Sequence, residues 1–226
     1  MPRIPCILAL FSLFGFAAND PLLTARDAQD RTALEKQIRE LSAGVKPQDS
    51  NSLYKLALAN SYLAEVAQEL RDKNAAKSAA EAGMDAARKA IALKQDNAEY
   101  HRILGTLCGQ VIPANVLAGL KYGKCAQDSV AQALKLNPNL PEAHLARGVG
   151  NYYLPPSFGG GVELAIKDFE KAIQLNPKFA DAYVWLGIAR RKANRNADAR
   201  KAFTRALELN PQRIWAKQQL EKTPAQ

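Results

Sequence analysis

Side chains able to do chemistry are sparse in this chain. Its two histidines, His101 and His144, each open an Ala- and Leu-rich helical segment, a place where a ring packs between neighbouring helices. No Gly-x-Ser-x-Gly turn, His-Glu-x-x-His pair or Cys/His cluster at metal-ligand spacing occurs, and Asp and Glu are scattered at helical spacing. These features predict no enzyme, no metal and no cofactor. Cys108 and Cys125 flank one connection between helical segments. They either close a loop of about 17 residues as a disulfide or pack as two small buried thiols. The segment from Arg190 to Arg205 concentrates Arg190, Arg191, Lys192, Arg195, Arg200, Lys201 and Arg205 against Asp198 alone, in a chain of net charge +9. Such a run suits an acidic partner or a ligand carboxylate, or else a solvated outer face. The loop Pro155-Pro156-Ser157-Phe158-Gly159-Gly160-Gly161 lacks the Lys-Ser/Thr of a phosphate-binding loop.

The elements that must position these residues repeat. Gly105, Gly148 and Gly187 each lie mid-helix, and each follows a small residue, Ala90, Ala133 or Ala172, by 15 positions. Ala-Leu-Lys-Leu-Asn-Pro at 133–138 returns as Ala-Ile-Gln-Leu-Asn-Pro at 172–177 and Ala-Leu-Glu-Leu-Asn-Pro at 206–211. Each Pro stops a helix, because it cannot continue one and pushes the residue before it out of the helical region. A period this long predicts an all-α, right-handed solenoid of antiparallel helix pairs, in which no pair buries its apolar face alone.

In the unit 180–213 the residues Tyr183, Leu186-Gly187, Ala199, Phe203, Ala206 and Pro211 resemble the tetratricopeptide repeat, with Arg190 where that family has a Tyr. The unit 141–179 matches at Gly148, Ala165, Phe169, Ala172 and Pro177, with five extra residues at its turn. The unit 98–140 carries nine extra residues around Val111 to Tyr122, and a degenerate unit spanning 51–97 carries a longer insertion, all expected at the turn between the paired helices. A capping helix is expected within 19–50, from Leu34, Ile38 and Leu41 on one face, and a second one in 214–226, where Trp215 and Leu220 can cover the last repeat. The resemblance implies that the first helix of each pair lines a concave surface. It directs Arg102, Thr106, Leu145, Val149, Tyr152, Tyr153, Val184, Ile188, Arg191 and Lys192 toward that groove, with Phe158 beside it. Rings next to cations suit a protein or peptide partner, an acidic one included, or a small amphiphilic ligand. The family's clamp for C-terminal carboxylates is not expected, since Ala59 and Ile103 stand in two slots that need Asn. Two local resemblances accompany this one. Pro156 to Gly160 is similar to the Pro-x-Phe-Gly-Gly loop of the T-component proteins of tripartite periplasmic transporters, which would make the chain a small-molecule-binding accessory. Tyr100 to Ala133 is similar to regulator-of-microtubule-dynamics proteins.

Met1-Pro2-Arg3 is short and positive, and Ile4 to Ala18 is apolar without a charge, ending in Gly15-Phe16-Ala17. This reads as a signal peptide over 1–18, with an uncleaved anchor as the alternative. No second apolar run follows, so no stable membrane span is expected after cleavage. The expected setting is the periplasm of a bacterium, or the medium around it. Export argues against a nucleic-acid partner. The expected function is non-catalytic binding by an envelope scaffold.

Overall fold

A computed structural model describes residues 20–114 and 116–225; the apolar stretch read as a signal lies outside them. The described residues form eleven α-helices: α1 Pro21–Asp27, α2 Arg31–Gly44, α3 Ser50–Glu69, α4 Lys73–Leu93, α5 Ala98–Val111, α6 Val116–Leu136, α7 Pro141–Tyr153, α8 Val162–Leu175, α9 Ala180–Lys192, α10 Asn196–Leu209 and α11 Ile214–Glu221. Asp20, Asp30, Asp49, Asp72 and Asn97 start the first five, their side chains accepting backbone N–H bonds of the first turn. The later helices start differently. Asn137, Asn176 and Asn210 each accept the N–H two residues on, and so shape the Asn-Pro turns before α7, α9 and α11.

Helices pair α3 with α4, α5 with α6, α7 with α8 and α9 with α10, and each first helix also packs on the second helix before it. Successive first helices meet in series, α3–α5–α7–α9–α11, whereas successive second helices do not come as close. The first helices therefore line the inner, concave side. Close approach within each pair depends on the repeated glycines. A Cβ on Gly148 would lie 2.5 Å from the Phe169 ring, one on Gly187 2.5 Å from the Phe203 ring, and one on Gly105 2.7 Å from Val130. Phe169 and Phe203 are fully buried there. Each contributes roughly 2 kcal/mol of apolar burial.

Two sequence expectations change. The N-terminal cap is a pair of helices, because Asp30 caps a new start and Gln29 takes a left-handed φ of 53°. The extra residues of the first two repeats do not enlarge turns. They lengthen helices, α3 and α4 to 20 and 21 residues and α6 to 21, against 14 in α8 and α10. Among the described residues 154–161 forms an enlarged turn, which Gly161 N–H closes onto the Asn151 carbonyl at 2.8 Å. Gly159 and Gly161 sit at φ 83° and 124°, which side-chain-bearing residues rarely adopt. Cys108 and Cys125 are joined by a disulfide between α5 and α6.

Candidate functional site

Two features occupy the concave side, an aromatic rim and a buried ionic network. At the rim, α7 ends in Tyr152 and Tyr153, whose rings meet edge-on at 5.0 Å. Tyr152 packs 6.0 Å from Trp185 of α9, which in turn meets Trp215 of α11 at 5.3 Å. Lys192 closes the rim, its ammonium 4.2 Å from the Tyr152 ring centre and donating to the Tyr152 carbonyl at 3.1 Å. Burial pushes the Tyr152 phenol above its usual range, with Arg191 opposing. Tyr153 is 62% exposed and Phe158, on the enlarged turn, 75% exposed. The exposed Tyr153 ring is thus backed by a packed row of rings, Tyr152, Trp185 and Trp215.

The remaining groove residues inferred from sequence are spent inside the fold. Arg102 binds Glu99 through two nitrogens at 2.7 and 2.9 Å. Thr106 is half-buried on the same helix. Leu145 and Val149 pack against Phe169 and Leu186. Val184 and Ile188 are buried against Phe203 and Ala216. Arg191 turns to the C-terminal helix, donating to the Gln219 carbonyl at 3.0 Å, Gln219 Oε1 at 2.7 Å and Thr223 Oγ1 at 3.0 Å. The structure therefore brings Tyr152, Tyr153 and Lys192 together, and sends Arg102 and Arg191 elsewhere. The basic run is likewise tied down: Arg190 to Glu170, Arg195 to Glu163, Arg205 to Glu208, and Arg200 to the carbonyls of Leu220 and Thr223. The histidines do structural work. His101, His144 and Tyr183 hold one slot in three repeats, and each bonds the carbonyl six residues earlier, at 2.8, 2.8 and 3.3 Å.

Sequence reasoning misses the ionic network. Arg213, just before α11, is 1% exposed and reaches across the concave channel to Glu65 at 2.6 Å and to Glu69, both on α3. Arg26 of α1 contacts Asp181 of α9 at 2.6 Å, its neighbour Asp27 at 2.6 Å, and the Tyr62 ring of α3 at 5.2 Å. Asn210 donates to Asp27 at 2.6 Å, and Gln29 of the first turn bonds Gln218 of α11. Burial alone would lower the pKa of Arg213, but Glu65 and Glu69 outweigh it and the net direction is upward. Burial raises the Glu69 carboxyl to about 7, against the pull of Arg213. Asp181 goes the other way, held down by Arg26 and Arg213 despite its burial. One signal is present in the sequence. Glu65 and Glu69 are like charges one helical turn apart, an arrangement that repels unless a cation is shared between them.

Two clefts of about 320 and 370 Å³ open elsewhere. One is lined by Glu170, Tyr183, Leu186, Arg190 and Arg205, the other by Pro21, Gln37, Leu41 and Lys55; neither includes a residue of 155–161. No helix among the described residues is long and apolar enough to cross a membrane.

Stacked helix pairs, mid-helix glycines under Phe rings and a concave row of first helices define a tetratricopeptide-repeat solenoid, and repeat models match residues 159–192 and 180–213. The model of the family "Regulator of microtubule dynamics protein 1-3" matches residues 19–154, and the chain belongs to that family. It is 27% identical to regulator of microtubule dynamics protein 3 of Bos taurus over 174 residues, 70% of this chain and 36% of the relative; the Rattus norvegicus protein matches equally. The chain thus spans about a third of the length of these relatives. Among solved structures, it is similar to a thermophilic TPR protein of Thermus thermophilus (TM-score 0.56, 19% identity, 84% and 89% of the two chains). It is also similar to the HusA haemophore of Porphyromonas gingivalis (TM-score 0.58, 19%, 75% and 92%). These likenesses show the fold.

Proposed function

We propose that the chain is a non-catalytic binding module that engages a protein or peptide partner at the aromatic rim formed by Tyr152, Tyr153, Phe158 and Lys192. The fold supports this reading at the level of class, since repeat solenoids of this kind are interaction scaffolds and are generally non-enzymatic. The observation that carries the siting is the exposure of Tyr153, whose ring meets Tyr152 and Trp185, with Phe158 exposed on the turn that follows α7. Rigid aromatic faces add contact area while losing little side-chain entropy, and a nearby cation favours partners with an acidic group. From the mammalian relatives only the shared repeat body is carried over; their named role in microtubule dynamics is not. The reading as a transporter accessory that holds a small molecule rests on the 155–161 loop alone.

The second part of the proposal is placement outside the cytoplasm of a bacterium. It is supported by the apolar run Ile4 to Ala18 and by the Cys108–Cys125 bond, which persists in oxidising compartments. Alkylation in denaturant before and after reduction, read at Cys108 and Cys125 by peptide mapping, tests it: in protein taken from its native cells both should resist a thiol reagent until reduced. Immediate labelling would point to a reducing compartment.

The siting is tested by photo-crosslinking from position 153 or 158 in the native cell, with position 23 as a control on an exposed leucine. A discrete adduct from the first two positions alone is expected, and it should be lost, with full helicity kept, when Lys192→Ala is combined with Phe158→Ala for the probe at 153 or with Tyr153→Ala for the probe at 158. Equal capture from the control position would remove the rim from consideration.

A further inference from the structure

The concave channel between α3 and α9 is filled by the chain itself. The seven-residue helix α1 buries Ala25, Arg26 and Asp27 there. It packs on α2 and α3, while its contact with α9 runs through the Arg26–Asp181 pair at 2.6 Å. The Arg26 guanidinium sits in a pocket with four features of a built receptor. Asp181 faces it from α9; Glu65 stands 4.0 Å away on α3; the Tyr62 ring lies beneath it at 5.2 Å; and the side chain is only 7% exposed. Without α1, the channel would hold three carboxylates, Glu65, Glu69 and Asp181, against the single guanidinium of Arg213. That excess of negative charge complements an incoming cation. Arg213 Nε is buried without a hydrogen-bond partner, although Asp27 and Asp181 stand 3.7 and 3.5 Å from it. Asp27 belongs to α1, so the plug itself supplies one of the two carboxylates beside this buried cation.

We propose that this channel is a receptor for an arginine-bearing peptide segment, and that α1 is its resident occupant, a plug that a partner carrying the same chemistry displaces. The inference is independent of the aromatic rim, which lies on other residues. The plug suits displacement. Asp20 caps it and a left-handed turn at Gln29 ends it, so it can leave as a unit without unwinding α2. Covalent attachment gives it an effective concentration on the order of millimolar, so a free peptide of equal chemistry competes only at similar concentration, or when the plug is weakened.

The test uses the full chain and two blocked synthetic peptides, the probe with the sequence of residues 20–29 and the same peptide with Arg26→Ala. The chain carrying Arg26→Ala should bind the probe at least ten-fold more tightly than the unmodified chain. The probe should also slow amide exchange over 62–69, and a probe with Arg26→Ala should bind neither chain. A folded Arg26→Ala chain that binds no better than the unmodified one overturns the proposal. A second experiment guards against a variant that fails to fold. A protease site is placed across Ala28–Gln29 in the otherwise unmodified chain and cut after folding, and excess probe is then added. Release of the N-terminal fragment by the probe, and not by the Arg26→Ala probe, is the expected result. A fragment that stays bound under saturating probe, or leaves equally with either probe, means that α1 is a structural cap alone. Loss of rim crosslinks would leave both outcomes unaffected.

Discussion

At the scale of single residues, the repeat is held by the smallest side chain. Gly148 and Gly187 carry no Cβ because a Phe ring occupies that space, within 2.5 Å of where the atom would sit. Gly187→Val should cost about 1–3 kcal/mol, read as a lower urea midpoint at unchanged slope, because neither the ring nor the helix backbone can retreat. This much is legible in the sequence, since Gly and Phe recur at fixed spacing. The part played by His101 and His144 is legible only as a class. Their slot announces packing, but the bond to a carbonyl six residues back depends on how the Asn-Pro turn folds. Arg191 shows the limit. Its position in the repeat points to the groove, yet Gln219 and Thr223 of the terminal segment claim it, and no local pattern encodes that pairing.

At the scale of helices, the hairpins are of two kinds. α1–α2, α3–α4 and α9–α10 turn through Gln29, Arg71 and Asn194 at positive φ, each followed by an N–H that reaches back to the carbonyl five residues before it. This is the tight turn that normally ends a helix with Gly, built here without one. Arg71→Gly should therefore raise stability by up to about 1 kcal/mol, measured as a higher melting temperature, because it relieves the left-handed strain. The second kind, α5–α6 and α7–α8, joins its helices through a short 3-10 segment, Ile112–Ala114 or Pro156–Phe158. The Cys108–Cys125 bond ties the first of these, spanning 17 positions. Replacing both cysteines by Ser should cost roughly 3 kcal/mol by loop entropy, and a reductant should lower the melting point of the unmodified chain alike. The location of the insertions can be read from sequence. Their conformation cannot, because residues 116–122 continue a helix rather than a turn, and helical continuation is decided by packing on α5.

At the scale of the molecule, the two ends meet. Arg26 reaches Asp181 across 155 positions, and Arg213 reaches Glu65 and Glu69 across 148 and 144. The network sets a pH dependence whose sign follows from the shifts. Glu69 titrates near 7 when folded, against 4.5 for the free side chain, so between those values the folded chain holds the extra proton and stability falls as pH rises. Glu65 is raised by burial and acts in the same direction. Asp181 is lowered and contributes in the opposite sense, its share being lost as pH falls below 3.8. Glu69→Gln should flatten the profile between pH 5 and 8, a difference on the order of 1–3 kcal/mol in urea titrations at the two values. Arg213→Ala should cost more, about 3–5 kcal/mol, because it strands buried carboxylates. A stack of repeats whose neighbours alone touch can gain or lose units freely, each unit adding its own increment of stability. Here the first repeat and the terminal helix share a buried cation, so the superhelix must rotate by the right amount to bring them face to face. The chain consequently counts its repeats. Removing or adding one helix pair would turn Arg213 away from Glu65 and Glu69, and the tie between α3 and the segment before α11 would be lost.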